Sequence, residues 1–175
     1  MTRDKLIERL SALAILRGDF TLRSGRKSTY YVDKYRFSTQ PDVLAALGQL
    51  FAERAGAVTR IAGAELGGVP LAAATALATG KPFVIVRNQK KDYGTSKLVE
   101  GILEKGDTVM MVEDIVTTGG QVIEAAKSVE QAGGKVERIV ATVDRLEGGR
   151  QNIEQAGYAF EALFTIADLG IEGPH

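Results

Sequence analysis

The chain has 175 residues, enough to bury a core, and its 45% hydrophobic and 25% charged content reads as one folded globular domain over 1–175 rather than a disordered chain. Lysine plus arginine equals aspartate plus glutamate at 22 each, which argues against a broad nucleic-acid or membrane-binding face. Cysteine is absent and the single histidine, His175, is terminal, so disulfides, thiolate zinc sites, a Ser-His-Asp triad and an HExxH metal helix are all excluded.

Taken in chain order, Leu6, Ile7, Leu10, Leu13, Ile15 and Leu16 space like one helical stripe that closes at Gly18. The opening "MTRDKLIERLSALAIL" carries acids and isolated apolar positions, unlike a signal peptide, and no apolar run is long enough to span a bilayer. A soluble cytoplasmic protein is the expectation. "STYYVDKY" (28–35) reads as a strand or hairpin arm, being aromatic and β-branched. "TQPDVLAALGQLFAERAG" (39–56) reads as a helix, with Pro41 in its first turn, Leu44, Leu47, Leu50 and Phe51 as its apolar face, and Gly56 at its end.

A regular rhythm follows. "RIAGA" (60–64) is strand-like, "ELGGV" a turn and "PLAAATALATG" (70–80) a helix. "PFVIVR" (82–87) is the next strand, before the polar "NQKKDYGTSKLVEG" (88–101). "DTVMMV" (107–112) leads to the helix "GQVIEAAKSVEQAGG" (120–134), then "RIVATVDR" (138–145), a short helix near 150–156, and "FEALFTI" (160–166). Short buried strands alternating with helices predict an α/β fold, a parallel sheet with helices on both faces. Ligands of such sheets sit at the carboxyl ends of the strands, which selects the loops 65–69, 88–100, 113–120 and 144–149.

One stretch carries the chemistry. "VMMVEDIVTTGGQ" (109–121) runs from apolar residues into Glu113 and Asp114, then into Thr117, Thr118, Gly119 and Gly120 ahead of a helix. Unpaired amides at a helix start, threonine hydroxyls and close-approach glycines suit a phosphate. Adjacent carboxylates repel phosphate but accept hydrogen bonds from vicinal hydroxyls, or help hold a cation. The two halves together describe a ribose 5-phosphate. Neither GxxxxGK[ST] nor a GxGxxG after a strand occurs, which disfavours a P-loop NTPase or a simple Rossmann dehydrogenase.

"VMMVEDIVTTGG" resembles the phosphoribosyl-pyrophosphate (PRPP) motif of type I phosphoribosyltransferases. "FTLRSGRKSTYYVD" (20–33) and "VRNQKKDYGTSKLVEG" (86–101) are similar to the N-terminal substrate segment and the catalytic loop of the orotate phosphoribosyltransferase family. "ELGGVPLA" (65–72) and "DR" (144–145) fall in the expected order, so the resemblance spans roughly 18–150. It implies a type I phosphoribosyltransferase fold with a small substrate-binding hood built from roughly 1–40 and the C-terminal end. It implies Mg²⁺ held mainly by PRPP, near Asp114, and transfer of ribose 5-phosphate from PRPP to orotate in pyrimidine biosynthesis. Alternatives are a phosphoribosyltransferase for another nucleobase and a non-catalytic PRPP-sensing regulator.

The same resemblance implies the site residues. Lys91 is the principal loop lysine, acting on the neighbouring subunit of a homodimer, and Asp114 is its catalytic companion. PRPP would be bound by Arg87, Lys90, Lys91, Tyr93, Gly67, Gly68 and the run Glu113, Asp114, Ile115, Val116, Thr117, Thr118, Gly119, Gly120. Orotate would be met by Arg23, Tyr31, Thr117 and Arg145, with Tyr30 and Tyr31 offering a planar wall and Arg23 a partner for its carboxylate. Three positions depart from the common pattern: Arg23 and Gly67 stand where many members have lysine, and Tyr93 where many have histidine.

Overall fold

The computed structural model describes residues 1–21, 25, 27–88 and 97–171. Helix α1 (Arg3–Ala14) starts at Thr2, whose hydroxyl accepts the Lys5 N–H, and buries Leu6, Leu10 and Ala14. The sequence spacing carries this helix on to Gly18, but the structure ends it at Ala14. Ile15 and Leu16 instead open strand β1 (Ile15–Thr21), where they lie opposite Val32 and Tyr31 of the antiparallel β2 (Lys27–Val32). Cross-strand pairing of β-branched and aromatic residues outweighs the helical period there. The Asp33 N–H donates to the Ala14 carbonyl at 2.8 Å and closes the hairpin against α1.

Asp33 then caps a five-residue helix, α2 (Lys34–Ser38), its carboxylate accepting the Tyr35 N–H at 3.1 Å. Helix α3 (Pro41–Ala55) follows, with Pro41 in the first turn as expected. Its most buried line is Val43, Leu47, Phe51 and Ala55, one position round from the expected face; Leu44 and Leu50 flank it, partly buried.

The remaining strands are β3 (Arg60–Ala64), β4 (Phe83–Val86), β5 (Val99–Glu100), β6 (Thr108–Val116), β7 (Lys135–Asp144) and β8 (Ala159–Thr165). They form one sheet in the order β5-β4-β3-β6-β7-β8, parallel except for the short antiparallel β5. Helix α4 (Gly68–Thr79) follows β3, α5 (Gly120–Gln131) follows β6, and α6 (Gly149–Gln155) follows β7. One core joins α1, α3 and α4 to one sheet face through Leu10, Leu47, Phe51, Leu71 and Val112. A second core packs Val122, Val129 and Ile153 of α5 and α6 against Val109, Met111 and Ile139 on the other face.

The order of strands places the site. From β3 the chain steps outward to β4, and on returning it lays β6 against the opposite edge of β3. Strand order therefore reverses between β3 and β6. Their carboxyl ends, at Ala64 and Val116, open into one crevice, the place where open α/β sheets bind ligands.

Candidate functional site

The carboxyl end of β6 is longer than the sequence suggested. Glu113, Asp114, Ile115 and Val116 are not loop: they continue the strand, with Glu113, Ile115 and Val116 opposite Ala141, Val143 and Asp144 of β7. The acids interrupt the hydrophobic pattern without interrupting the backbone ladder. Strand geometry starts the two side chains on opposite faces, yet the Glu113 carboxyl bends back to hydrogen-bond with Asp114, so the two acids stay in contact. Glu113 lines the concavity beside α5, whereas Asp114 lies against Gly67 at the start of α4.

That concavity, of ≈ 260 Å³, is bounded by Glu113, Ile115, Thr117, Thr118 and the first turn of α5. Gly119 adopts φ 80°, a left-handed conformation that turns the chain into the helix. The Asn152 side chain of α6 donates to the Thr118 carbonyl at 2.9 Å and pins the turn from outside. Sequence reading missed Asn152, because nothing local to "GRQNIEQ" marks it. The opening amides of α5 precede any intrahelical acceptor, so the concavity presents N–H donors and the positive helix pole. Val116 lines it too, but its side chain is buried in the second core, leaving its backbone for any ligand.

Asp114 is 1% exposed. Its Oδ1 accepts the Ile115 N–H at 2.6 Å, and Lys34 Nζ from α2 lies 3.0 Å from Oδ2 and 3.4 Å from Oδ1. Despite that ion pair, Oδ2 has no aligned hydrogen bond among the described residues. A Cβ at Gly67 would overlap Oδ2. Gly67 is thus required by the seat of Asp114, and any longer side chain there would displace the carboxylate.

Burial, then the adjacent Asp114 charge, pushes the Glu113 carboxyl well above the usual range. Its Oε1 accepts the Asp114 N–H at 2.9 Å. Burial lowers the Lys34 ammonium, but Asp114 through charge and hydrogen bond, and Glu113 through charge, more than offset it and hold Lys34 raised.

On the β3 side the chain turns at 65–67 into α4, so a second helix N-terminus faces the crevice. Arg87 stands beside this turn, 3.7 Å from Glu65, and Asn88 donates to Glu65 through its N–H and side-chain amide. Under the hairpin, the Arg145 guanidinium lies 5.7 Å over the Tyr30 ring, with Nη2 3.4 Å from the Tyr30 hydroxyl. Glu147 pairs with Arg145 at 3.0 Å, and the Arg145 N–H donates to the Val116 carbonyl, setting Arg145 beside Thr117.

The structure therefore brings together Gly67, Gly68, Arg87, Glu113, Asp114, Ile115, Thr117 to Gly120 and Arg145. It does not bring Tyr31 beside Arg145: Tyr31 leaves the opposite face of β2 and meets Phe20 at 5.8 Å, while Tyr30 takes the inner place. Arg23, Lys90, Lys91 and Tyr93 lie outside the described residues. Lys34 was missed, since a lone lysine in a short helix carries no sequence signal. Asp114 supplies a hard oxygen donor that would suit Mg²⁺ held mainly by substrate phosphates. Among the described residues no three acidic or histidine side chains group to hold a metal ion.

Residues 37–159 match the phosphoribosyl transferase domain. Over 168 residues the chain is 46% identical to the orotate phosphoribosyltransferase of Methanothermobacter thermautotrophicus, covering 95% of this chain and 93% of that one. The chain belongs to the orotate phosphoribosyltransferase family. The Halobacterium salinarum member is 47% identical over 167 residues, covering 95% of each. A crystal structure of the Mycobacterium tuberculosis enzyme with Fe(III) dicitrate superposes with TM-score 0.88 at 34% identity, covering 97% of this chain and 99% of that one. The same enzyme in complex with PRPP gives TM-score 0.83 at 34% identity, covering 97% and 99%. The hairpin and Lys34 precede the matched phosphoribosyl transferase segment.

Proposed function

We propose that the chain is an orotate phosphoribosyltransferase, a pentosyl-transferring glycosyltransferase that acts in cytoplasmic pyrimidine biosynthesis. The bond from C1 of PRPP to its pyrophosphate oxygen breaks, the ring nitrogen of orotate bonds to C1, and orotidine 5-monophosphate and pyrophosphate leave. The observation that carries this reading is the crevice itself: two helix N-termini flank it, with the Asp114 carboxylate between them. One pole suits the 5-phosphate and the other the pyrophosphate, while the carboxylates accept the ribose hydroxyls.

Thr117 to Gly120 would hold the 5-phosphate, with Ile115 and Val116 contributing backbone. Gly67 and Gly68 would offer amides to pyrophosphate. Arg87, Lys90, Lys91 and Tyr93 would stabilise the charge that develops as pyrophosphate departs. Mg²⁺, when bound with PRPP near Asp114, neutralises part of that charge. Arg145, Thr117 and Arg23 would position the anionic pyrimidine against Tyr30 on the inner face of the hairpin. Deprotonation of the base needs no strong protein catalyst, so positioning and electrostatics dominate.

A homodimer is part of the reading, with Lys91 serving the neighbouring site. Its support is α4, apolar on its outward side as well as its buried one, with Leu77 88% exposed. A helix apolar all round belongs under cover.

Conversion lowers the absorbance of orotate on the long-wavelength side of its ultraviolet band, so mixing the chain with orotate, PRPP and Mg²⁺ tests the reading directly. The expected result is decay that requires all three. Product from adenine, hypoxanthine or uracil with none from orotate would overturn the assigned base.

A further inference from the structure

The loop 65–68 offers amides to a phosphate but no cation of its own. Glu65 and Leu66 are its only side chains, and the geometry of Gly67 admits none, because a Cβ there would collide with Asp114 Oδ2. A doubly charged phosphate arm seated on those amides lies beside a buried carboxylate that repels it, so a cation on the Asp114 side, opposite Arg87, would favour its binding. The structure delivers a positive charge to that spot from elsewhere. Lys34 reaches across from α2, and its ammonium stands 3.0 Å from the same Asp114 Oδ2 that Gly67 abuts.

We infer that Lys34 is a PRPP-binding residue, whose ammonium contacts the pyrophosphate arm over the 65–68 turn while also neutralising Asp114. This rests on the proposed seating of PRPP in the crevice. Three observations support it. Lys34 keeps 35% of its side chain exposed although its partner is 1% exposed, so the lysine is not sealed in with Asp114. Among the described residues the Lys34 ammonium is aligned for a hydrogen bond to Asp114 only at Oδ1, at 3.4 Å, and not at Oδ2, so N–H donors remain for a ligand. Finally, Asp33 caps α2 and fixes Lys34 as its first residue, so the cation is carried by an ordered element.

Being on α2, directly after the hairpin that holds Tyr30, Lys34 also ties the hood to the PRPP side of the site. A ligand phosphate that drew Lys34 inward would draw this segment with it.

Calorimetric titration of PRPP, pyrophosphate and ribose 5-phosphate into wild type, Lys34→Gln and Lys34→Arg separates the roles. Loss of one charge-assisted contact should weaken PRPP and pyrophosphate about tenfold or more in Lys34→Gln. Ribose 5-phosphate should change by less than about twofold in the same variant, and Lys34→Arg should recover most of the loss. The series is repeated with Asp114→Asn, where no buried charge is stranded if Lys34→Gln alone fails to fold. The pyrophosphate loss should persist there. Parallel weakening of all three ligands, no weakening, or a loss that vanishes with Asp114→Asn would overturn the inference and leave Lys34 a counter-ion only. Wild type that binds none of the probes sinks the PRPP site itself, and wild type that binds PRPP without consuming orotate sinks only the choice of base.

Discussion

Glu113 and Asp114 are neighbours in sequence, yet different groups surround them. Asp114 has a cation at 3.0 Å, whereas Glu113 has burial and the Asp114 charge against it, and its carboxyl is raised well above 4.5. Between 4.5 and that raised value the folded chain holds a proton that the unfolded chain has released. Stability should therefore fall as pH rises through this window. Asp107 has the reverse sign. Its hydrogen bond from Arg60, at 2.6 Å, holds it below 3.8, so its contribution is present above 3.8 and is lost as pH falls through the folded value. Urea midpoints measured across pH for wild type and Glu113→Gln check the first case. The variant should lack the decline above 4.5, and an unchanged slope would mean that Glu113 is not the group responsible.

At the scale of elements, the regular part of the fold was legible because each α/β unit carries its own punctuation. "RIAGA" is β3 residue for residue, and Pro41 and Gly56 bracket α3 as read. What failed depended on partners distant in sequence. Ile15 and Leu16 satisfy a helical period but find Val32 and Tyr31 across a hairpin, and the acids of β6 look like a loop until β7 is laid beside them. Helix α2 and strand β5 are too short to show a period at all. One segment, residues 113–120, carries most of the candidate site in sequence, whereas Lys34 and Asn152 come to it from other elements and carry no local signal.

Gly119 tests how much the proposed phosphate turn depends on local geometry. It holds φ 80°, and an added Cβ would lie 2.9 Å from Ile153 Cγ1. Gly119→Ala should lower stability by about 1–3 kcal/mol and weaken ribose 5-phosphate, since both the αL backbone and the α6 contact must yield. Denaturant unfolding beside a ribose 5-phosphate titration reads both effects, and full ligand affinity at reduced stability would separate the turn from phosphate binding.

For the whole molecule, zero formal net charge means that anionic substrates are drawn by local arrangement rather than by a general field. Cations must then converge on one crevice from separate parts of the chain: Lys34 from α2, Arg87 after β4 and Arg145 after β7. In the proposed homodimer one more, Lys91, comes from the neighbouring subunit, and this makes a prediction about assembly. Asp114→Asn should weaken PRPP binding, and Lys91→Ala should lower turnover more than PRPP affinity, because a contact to the departing pyrophosphate strengthens as the bond breaks. Each variant alone is therefore impaired at both sites of its dimer. After unfolding and co-refolding of an equal mixture, half the dimers combine the two variants. In each of these one site pairs an intact Asp114 with the partner's intact Lys91, while the other site collects both lesions. Turnover should recover to about a quarter of wild type, because half the dimers carry one intact site of two. If Lys91 served its own subunit, every site would keep one lesion and the mixture would stay at the average of the two parents.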